Sequence, residues 1–142
     1  MAKQHKYNLI VESETDYDLI GICSHHSDYR LVWGINELLK LKLVKSNEDF
    51  VVYSKKGGTN SHSFYAQLDP EFEMDYYLIK NKCNGKFLIP EKQQIDYFLF
   101  LLNNQTVKVT EWIEKLKNHP SVLTAFEFDP LDFPSADNII FN

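Results

Sequence analysis

The stretch NGKFLIPEKQQIDYFLFLL, residues 84–102, contains the signals that decide the fold. Its Asn-Gly pair stands between two β-rich runs, which is the strongest short-range signal for a β-hairpin with a type I′ turn. A polar loop headed by Pro90 follows, and then the apolar run IDYFLFLL. The stretch therefore predicts a tight hairpin, a loop and a long buried element in succession.

The apolar run at 95–102 fits two kinds of element. Part of it follows a helical stripe, and Pro90 is acceptable in the first turn of a helix. A surface helix would leave Tyr97, Phe100 and Leu101 in water, whereas a central strand covered on both faces buries all of them. We therefore favour a central strand that ends at the Asn103-Asn104 pair.

The rest of the chain predicts more strands and two helices. A helical stripe predicts a first helix over about 28–42, with Ser27 or Asp28 as N-cap and Gly34 inside it, where we expect a strand to pack closely. A second helix is predicted around 109–116, with Thr106 or Thr110 as N-cap and Pro120 ending it. β-rich runs predict strands at 7–11, 19–23, 50–54, 63–68, 75–82, 86–89 and 122–128, with 50–54 and 63–68 paired across Gly57-Gly58.

These elements predict an α+β fold, a mainly antiparallel sheet of about six or seven strands with two helices packed on one face. The chain of 142 residues has no internal repeat and no linker, so we expect a single domain over 1–142. So few helices would leave much of the other sheet face uncovered. We expect the apolar end of the C-terminal tail to be tied down against the body.

Composition limits the classes of partner. The net charge of −5 argues against nucleic acid, which is bound through clustered Lys and Arg. No apolar window is long enough to cross a membrane, and Cys23 and Cys83 belong to no C-x-x-C pair, so we expect a cytoplasmic protein. The sequence KKGGTNS lacks phosphate-loop spacing, and no metal-ligand spacing is complete, so no cofactor and no metal are predicted.

The sequence LIPEKQQIDYFL resembles the motif of the uncharacterised bacterial IPExxxVDY family. Ile89, Pro90, Glu91, Asp96 and Tyr97 match the motif, and Ile95 replaces its Val. The blocks LIGICSHHSDYRLVWGIN and WIEKLKNHPSV extend the resemblance over most of the chain. The resemblance implies no activity, cofactor or catalytic residue.

Glu91 and Asp96 are the candidate pair for general acid–base chemistry, which needs two carboxyl groups facing one substrate. A structural interpretation competes with this one. In it, Asp96 accepts hydrogen bonds from backbone N–H groups of the turn, and Glu91 caps a neighbouring segment or forms a salt bridge. We favour the structural interpretation.

The sequence CSHHSDYR lies where a predicted strand leads into the first helix, a place where ligands often bind in α/β arrangements. Its candidate ligand-binding residues are His25, His26, Asp28 and Arg30, which join Glu91, Asp96 and Tyr97 in the full candidate set. Adjacent histidines on an extended chain point to opposite faces, which argues against zinc, and no third partner completes a Cys-His nucleophile.

Two hypotheses of function follow. The leading one is a non-enzymatic binding or assembly module, which is a homodimer through its uncovered sheet or binds another protein. The alternative is a small-molecule or enzymatic site where segment 23–30 meets the corner 90–97, with Arg30 or His25 facing Glu91 or Asp96. The sequence leaves open whether the protein is an enzyme.

Overall fold

The computed structural model describes residues 17–55, 57–71 and 73–141. Its main sheet has six antiparallel strands and is joined by two helices and two small two-stranded sheets, which confirms the predicted α+β fold. The strand predicted at 7–11 lies outside the described residues. Among the described helices, none combines the length and the apolar character that a membrane span requires.

The elements follow one another along the chain in a mixed order. They are β1 Tyr17–Cys23, α1 Asp28–Leu39, β2 Val44–Lys45, β3 Phe50–Tyr53, β4 Thr59–His62, β5 Phe64–Gln67, β6 Asp75–Lys80, β7 Lys82–Cys83, β8 Lys86–Phe87, β9 Tyr97–Leu102, α2 Val109–Lys117 and β10 Thr124–Phe128. Short 3₁₀ helices lie at Pro90–Lys92, Pro130–Asp132 and Pro134–Asn138. The main sheet has the order β10-β1-β9-β6-β5-β2.

The apolar run is a strand, as predicted, and it occupies the centre of the sheet. Strand β9 pairs with β1 on one side and β6 on the other, so that Phe100 lies between Leu19 and Tyr77. Five of its six residues are buried, because both faces of the sheet are covered. The chain then crosses through α2 to β10, which runs parallel to β9 with β1 between them.

Both helices pack on one face of the sheet, as predicted. The stripe of α1 is buried at Leu31, Val32, Ile35 and Leu39, and α2 adds Ile113 and Leu116 to the same cluster. Ser27 is the N-cap of α1, and its side chain accepts from the Arg30 N–H. The helix ends at Leu39, earlier than predicted, because Lys40 takes a left-handed conformation with φ of 59°.

The second sheet face is covered by the chain itself, so the expectation of an uncovered face was wrong. Phe50 and Val52 of the β3–β4 hairpin pack there with the tail residues Phe133 and Ile139. The Phe141 ring, also in the tail, contacts four aromatic rings, those of Tyr17, Phe50, Tyr77 and Phe100. The tail is therefore tied down, as predicted.

Three local predictions were wrong in detail. Strand β3 pairs with β4 and not with 63–68, because the turn closes tightly: the Ser54 N–H donates to the Gly58 carbonyl and the Gly57 N–H to the Ser54 carbonyl. The N-cap of α2 is Lys108, and neither Thr106 nor Thr110 caps it. Gly34 packs against His119, two residues after the end of α2, and not against a strand.

Candidate ligand-binding groove

A groove of about 740 Å³ lies at one end of the sheet, where β1 and β6 end and β9 begins. Its volume is within the range of small-molecule sites, roughly 300–1,000 Å³. Two segments far apart in sequence form its walls, one between β1 and α1 and the other before β9. The lining residues are Ser24, His26, Ser27, Asp28, Lys80, Lys82, Phe87, Gln93, Gln94, Ile95, Asp96 and Tyr97.

Ser24 holds the first wall in place. It is buried, and its hydroxyl donates to the Ser121 carbonyl at 2.5 Å while accepting from the His26 N–H at 3.1 Å. The loop is thus fixed to the segment that leads from α2 into β10. Asp28, the first residue of α1, follows this anchored loop and lines the groove.

Asn81 holds the second wall in place, although it does not line the groove. It is fully buried, and its amide nitrogen donates to the Lys92 and Ile95 carbonyls at 2.9 and 2.8 Å. Its amide oxygen accepts from the Ile89 N–H at 3.0 Å. One side chain therefore bonds three backbone groups of the corner, and it is the partner of the Ile95 carbonyl and of the Ile89 N–H, which would be costly to leave unpaired.

Asp96 joins the two walls. One carboxylate oxygen accepts from the Ser24 N–H at 2.8 Å, and its own N–H donates to the Ile22 carbonyl at 3.1 Å. The structural interpretation expected Asp96 to accept from its own turn. The bond instead crosses to the segment before α1, so Asp96 both positions that segment and faces the groove.

Glu91 faces away from the groove. Its carboxylate accepts from the hydroxyl and the N–H of Ser135, at 2.5 and 3.1 Å, in the first turn of the 3₁₀ helix Pro134–Asn138. Burial acts to raise the pKa of Glu91, but the two Ser135 hydrogen bonds outweigh it and lower the pKa. Glu91 is thus a cap, and the structure does not bring it to one site with Asp96.

Tyr97 and Asp28 meet beneath the start of α1. Tyr97 is buried, and burial raises the pKa of its hydroxyl, with the negative charges of Asp28 and Asp96 adding to the effect. Tyr65 donates a long hydrogen bond of 3.5 Å to the Asp28 carboxylate. Asp28 thus accepts a hydrogen bond from one phenol group and also lines the groove.

His25, His26 and Arg30 do not share one site, because only one of the three lines the groove. His26 lines the groove, and its Nδ1 is buried with no hydrogen-bond partner among the described residues. His25 and Arg30 are exposed and lie outside the lining, so neither faces Glu91 or Asp96 as the alternative hypothesis required. In the described part of the chain, no three His, Cys, Asp or Glu side chains are grouped as metal ligands.

Cys23 is not an activated thiol. Burial raises its pKa, and the nearby Asp96 carboxylate raises it further, so the nucleophilic thiolate is disfavoured. Its Sγ donates a long contact of 3.5 Å to the Gln94 carbonyl. The thiol thus adds a further link between the two walls.

Sequence patterns did not single out several lining residues, namely Lys80, Lys82, Phe87, Gln93 and Gln94. They are exposed or half-buried side chains without a recognisable motif. Asn81 did leave a signal, because asparagine is depleted in strands and stands inside the run 75–82.

No family model, no curated protein and no solved structure matches this chain.

Proposed function

We propose that the protein is a non-enzymatic binding module whose ligand occupies the groove between residues 24–28 and 93–97. The observation that carries this proposal is the convergence of the two segments on one concave site, joined by the bond between Asp96 and Ser24. A site assembled from distant segments and held by buried polar residues is preorganised, and preorganisation lowers the cost of binding.

A binding role agrees better with the contacts than a catalytic one does. The candidate acid–base pair is divided, since Glu91 is engaged by Ser135 and Asp96 by Ser24. The elevated pKa of Cys23 disfavours a thiolate nucleophile. Both features support recognition without covalent chemistry.

An NMR screen of a chemically diverse fragment library against the ¹⁵N-labelled protein tests this proposal. We expect hits to shift the amide signals of Ser24, His26 and Gln94 in preference to the rest of the chain. The variant Gln94→Trp should abolish these shifts by filling the groove, whereas Gln105→Trp, an exposed glutamine outside the lining, should leave them unchanged. A screen in which no fragment acts on the groove would refute the proposal.

Self-association through the sheet is a second candidate function, and the free edge of β10 favours it. Within the described residues no strand pairs with the outer edge of β10; Phe126 of this strand is 44% exposed, and Leu123, just before it, is 56% exposed. The opposite edge, β2, has two residues and carries Lys45, a feature that discourages pairing. Two copies of β10 paired antiparallel about Phe126 would place Ala125 opposite Glu127, so no like charges meet.

Analytical ultracentrifugation over a concentration series tests the homodimer. We expect a concentration-dependent dimer that Phe126→Lys disrupts and that Val51→Lys, a matched change at an exposed valine of β3, retains. A monomer at every concentration would exclude self-association.

We also propose membership of the IPExxxVDY family and a cytoplasmic location. The matching residues all shape the corner: Ile89 is buried, Pro90 begins a 3₁₀ helix, and Glu91 caps another. The two cysteines are free thiols, which is consistent with a reducing compartment. Fractionation of cells producing the tagged protein tests the location. A solved structure of a family member tests the membership, because it should show the same contacts at the corner formed by the motif.

A further inference from the structure

The groove has charged groups of both signs, and none of them is neutralised by another. Asp28 and Asp96 carry negative charge, and Lys80 and Lys82 carry positive charge. Among the described residues the only ion pair within 4.0 Å joins Lys55 to Asp137, and neither of these residues lines the groove. The formal charge of the groove is therefore zero, but its charges are separated in space.

Strand pairing locates two of these charges. Lys80 pairs directly with Tyr97, and Asp96 is the residue that immediately precedes β9. Asp96 is bonded to Ser24, so it lies on the side of the segment that leads to Asp28. Lys82 continues from Lys80 and places its ammonium 5.8 Å from the centroid of the Phe87 ring. The lysines thus lie on the β6 side of the start of β9 and Asp96 lies on its β1 side, while Asp28, at the start of α1, accepts a hydrogen bond from Tyr65 of β5.

We infer that the ligand is a zwitterion of the amino-acid type, an α-amino acid or a short peptide with free termini. Its ammonium group would bind between Asp28 and Asp96, and its carboxylate would bind Lys80 and Lys82. This inference rests on the proposed function. One oxygen of Asp96 is occupied by Ser24, and the other receives no hydrogen bond from the described residues, so it is available to an ammonium donor.

The uncharged lining groups suit the same class of ligand. The side-chain amides of Gln93 and Gln94 have no hydrogen bond within the described part of the chain, and an amide can both donate to and accept from a peptide group. Phe87, Ile95 and Tyr97 add apolar surface for a side chain. A groove of about 740 Å³ accommodates more than one residue, which favours a short peptide over a single amino acid.

Four related probes test the inference by NMR titration: the dipeptide Leu-Gly, its N-acetyl form, its C-terminal amide, and a form capped at both ends. We expect the free dipeptide to bind most tightly, and each single cap to weaken binding about tenfold, as loss of a charge-assisted hydrogen bond does. The doubly capped form should be the weakest.

Two variants assign the ends of the ligand. Asp28→Asn should weaken the binding of the free dipeptide and of the C-terminal amide but not that of the N-acetyl form. Lys82→Gln should weaken the binding of the free dipeptide and of the N-acetyl form but not that of the C-terminal amide. Glu37→Gln and Lys42→Gln make the same changes of charge at exposed positions outside the groove and should leave all affinities unchanged.

Two results would overturn the inference. One is that capped and free dipeptides bind equally well, and the other is that none of the four probes acts on the groove. Neither result would refute the groove as a binding site if fragments of the diverse library still bind there. If those fragments also leave the groove amides unchanged, the proposed function fails with the inference.

Discussion

The Asp96 carboxylate accepts a 2.8 Å hydrogen bond from the backbone N–H of Ser24, across a separation of 72 residues. Through this bond the strand-to-helix loop before α1 is tied to the corner before β9. Asp96 is one of the two acidic residues of the IPExxxVDY-like sequence, and its contact explains why an acceptor is needed at that position: the N–H of Ser24, just after β1, has no strand partner. The bond also leaves one carboxylate oxygen facing the groove.

Replacement of Asp96 by Ala should lower the free energy of unfolding by about 1–2 kcal/mol, because it removes a charged acceptor from the Ser24 N–H. Asp96→Asn should cost less, since its amide oxygen can still accept. Urea unfolding followed by circular dichroism measures both changes. Asp132→Ala, at an exposed aspartate, is the control and should stay within about 0.5 kcal/mol of the parent protein. Equal values for Asp96→Ala and Asp132→Ala would contradict this role.

Asn81 should be the most sensitive polar residue of the corner. Asn81→Ala leaves the Ile95 carbonyl and the Ile89 N–H without partners and removes one of the two hydrogen bonds to the Lys92 carbonyl, and we expect a loss of about 3 kcal/mol. Asn60→Ala removes a single long bond of 3.4 Å to the Phe87 carbonyl and is the matched control. Chemical denaturation compares the two variants, and a larger loss for Asn60→Ala would show that Asn81 does not hold the corner.

The sequence predicted the elements whose signals are local. The Asn84-Gly85 turn has positive φ at both residues, 53° and 78°, as a type I′ turn requires. The run at 97–102 was placed correctly at the centre of the sheet. The reason is that all side chains of an unbroken apolar run are buried only when both faces of the strand are covered. Both conclusions depend on residues adjacent in the chain.

Features that depend on distant contacts could not be predicted in the same way. The cover on the second sheet face comes from the β3–β4 hairpin and the tail, and no periodicity reports which segments meet there. The partner of Asp96 is likewise set by where the chain returns after 72 residues. The acid–base hypothesis failed on this point: Glu91 and Asp96 are close in sequence but bind different segments.

Any residue larger than glycine at position 34 should be destabilising while His119 is present. A Cβ at this position would lie 2.6 Å from Cε1 of the His119 ring. We expect Gly34→Ala to destabilise the protein by about 1–3 kcal/mol through overpacking, although alanine is the better helix former. In the His119→Ala background, the same substitution should instead stabilise by up to about 1 kcal/mol.

The parent protein, the two single variants Gly34→Ala and His119→Ala, and the double variant form a double-mutant cycle. Thermal and urea unfolding of these four proteins measure the coupling free energy between the two positions. A change of sign between the backgrounds is the expected result. If Gly34→Ala destabilises equally with and without the imidazole, contact with His119 is not the reason for the glycine.

His62 should make stability depend on pH. It is fully buried on β4, its Nδ1 donates to the Lys80 carbonyl at 2.9 Å, and its Nε2 has no partner among the described residues. Burial lowers its pKa below the ordinary value of 6.5, and this effect exceeds the opposing influence of the Lys80 carbonyl and of the Asp49 charge. The folded protein therefore favours neutral His62.

The sign of the effect follows from this lowered pKa. As the pH falls through 6.5, the unfolded chain binds a proton before the folded one does, so stability is complete above that pH and decreases below it until the folded pKa is reached. Urea unfolding between about pH 5 and pH 8 should show a smaller decrease for His62→Asn, which keeps a donor for Lys80. His25→Asn changes an exposed histidine and should follow the parent protein. Parallel pH profiles for His62→Asn and the parent would rule out His62 as the titrating group.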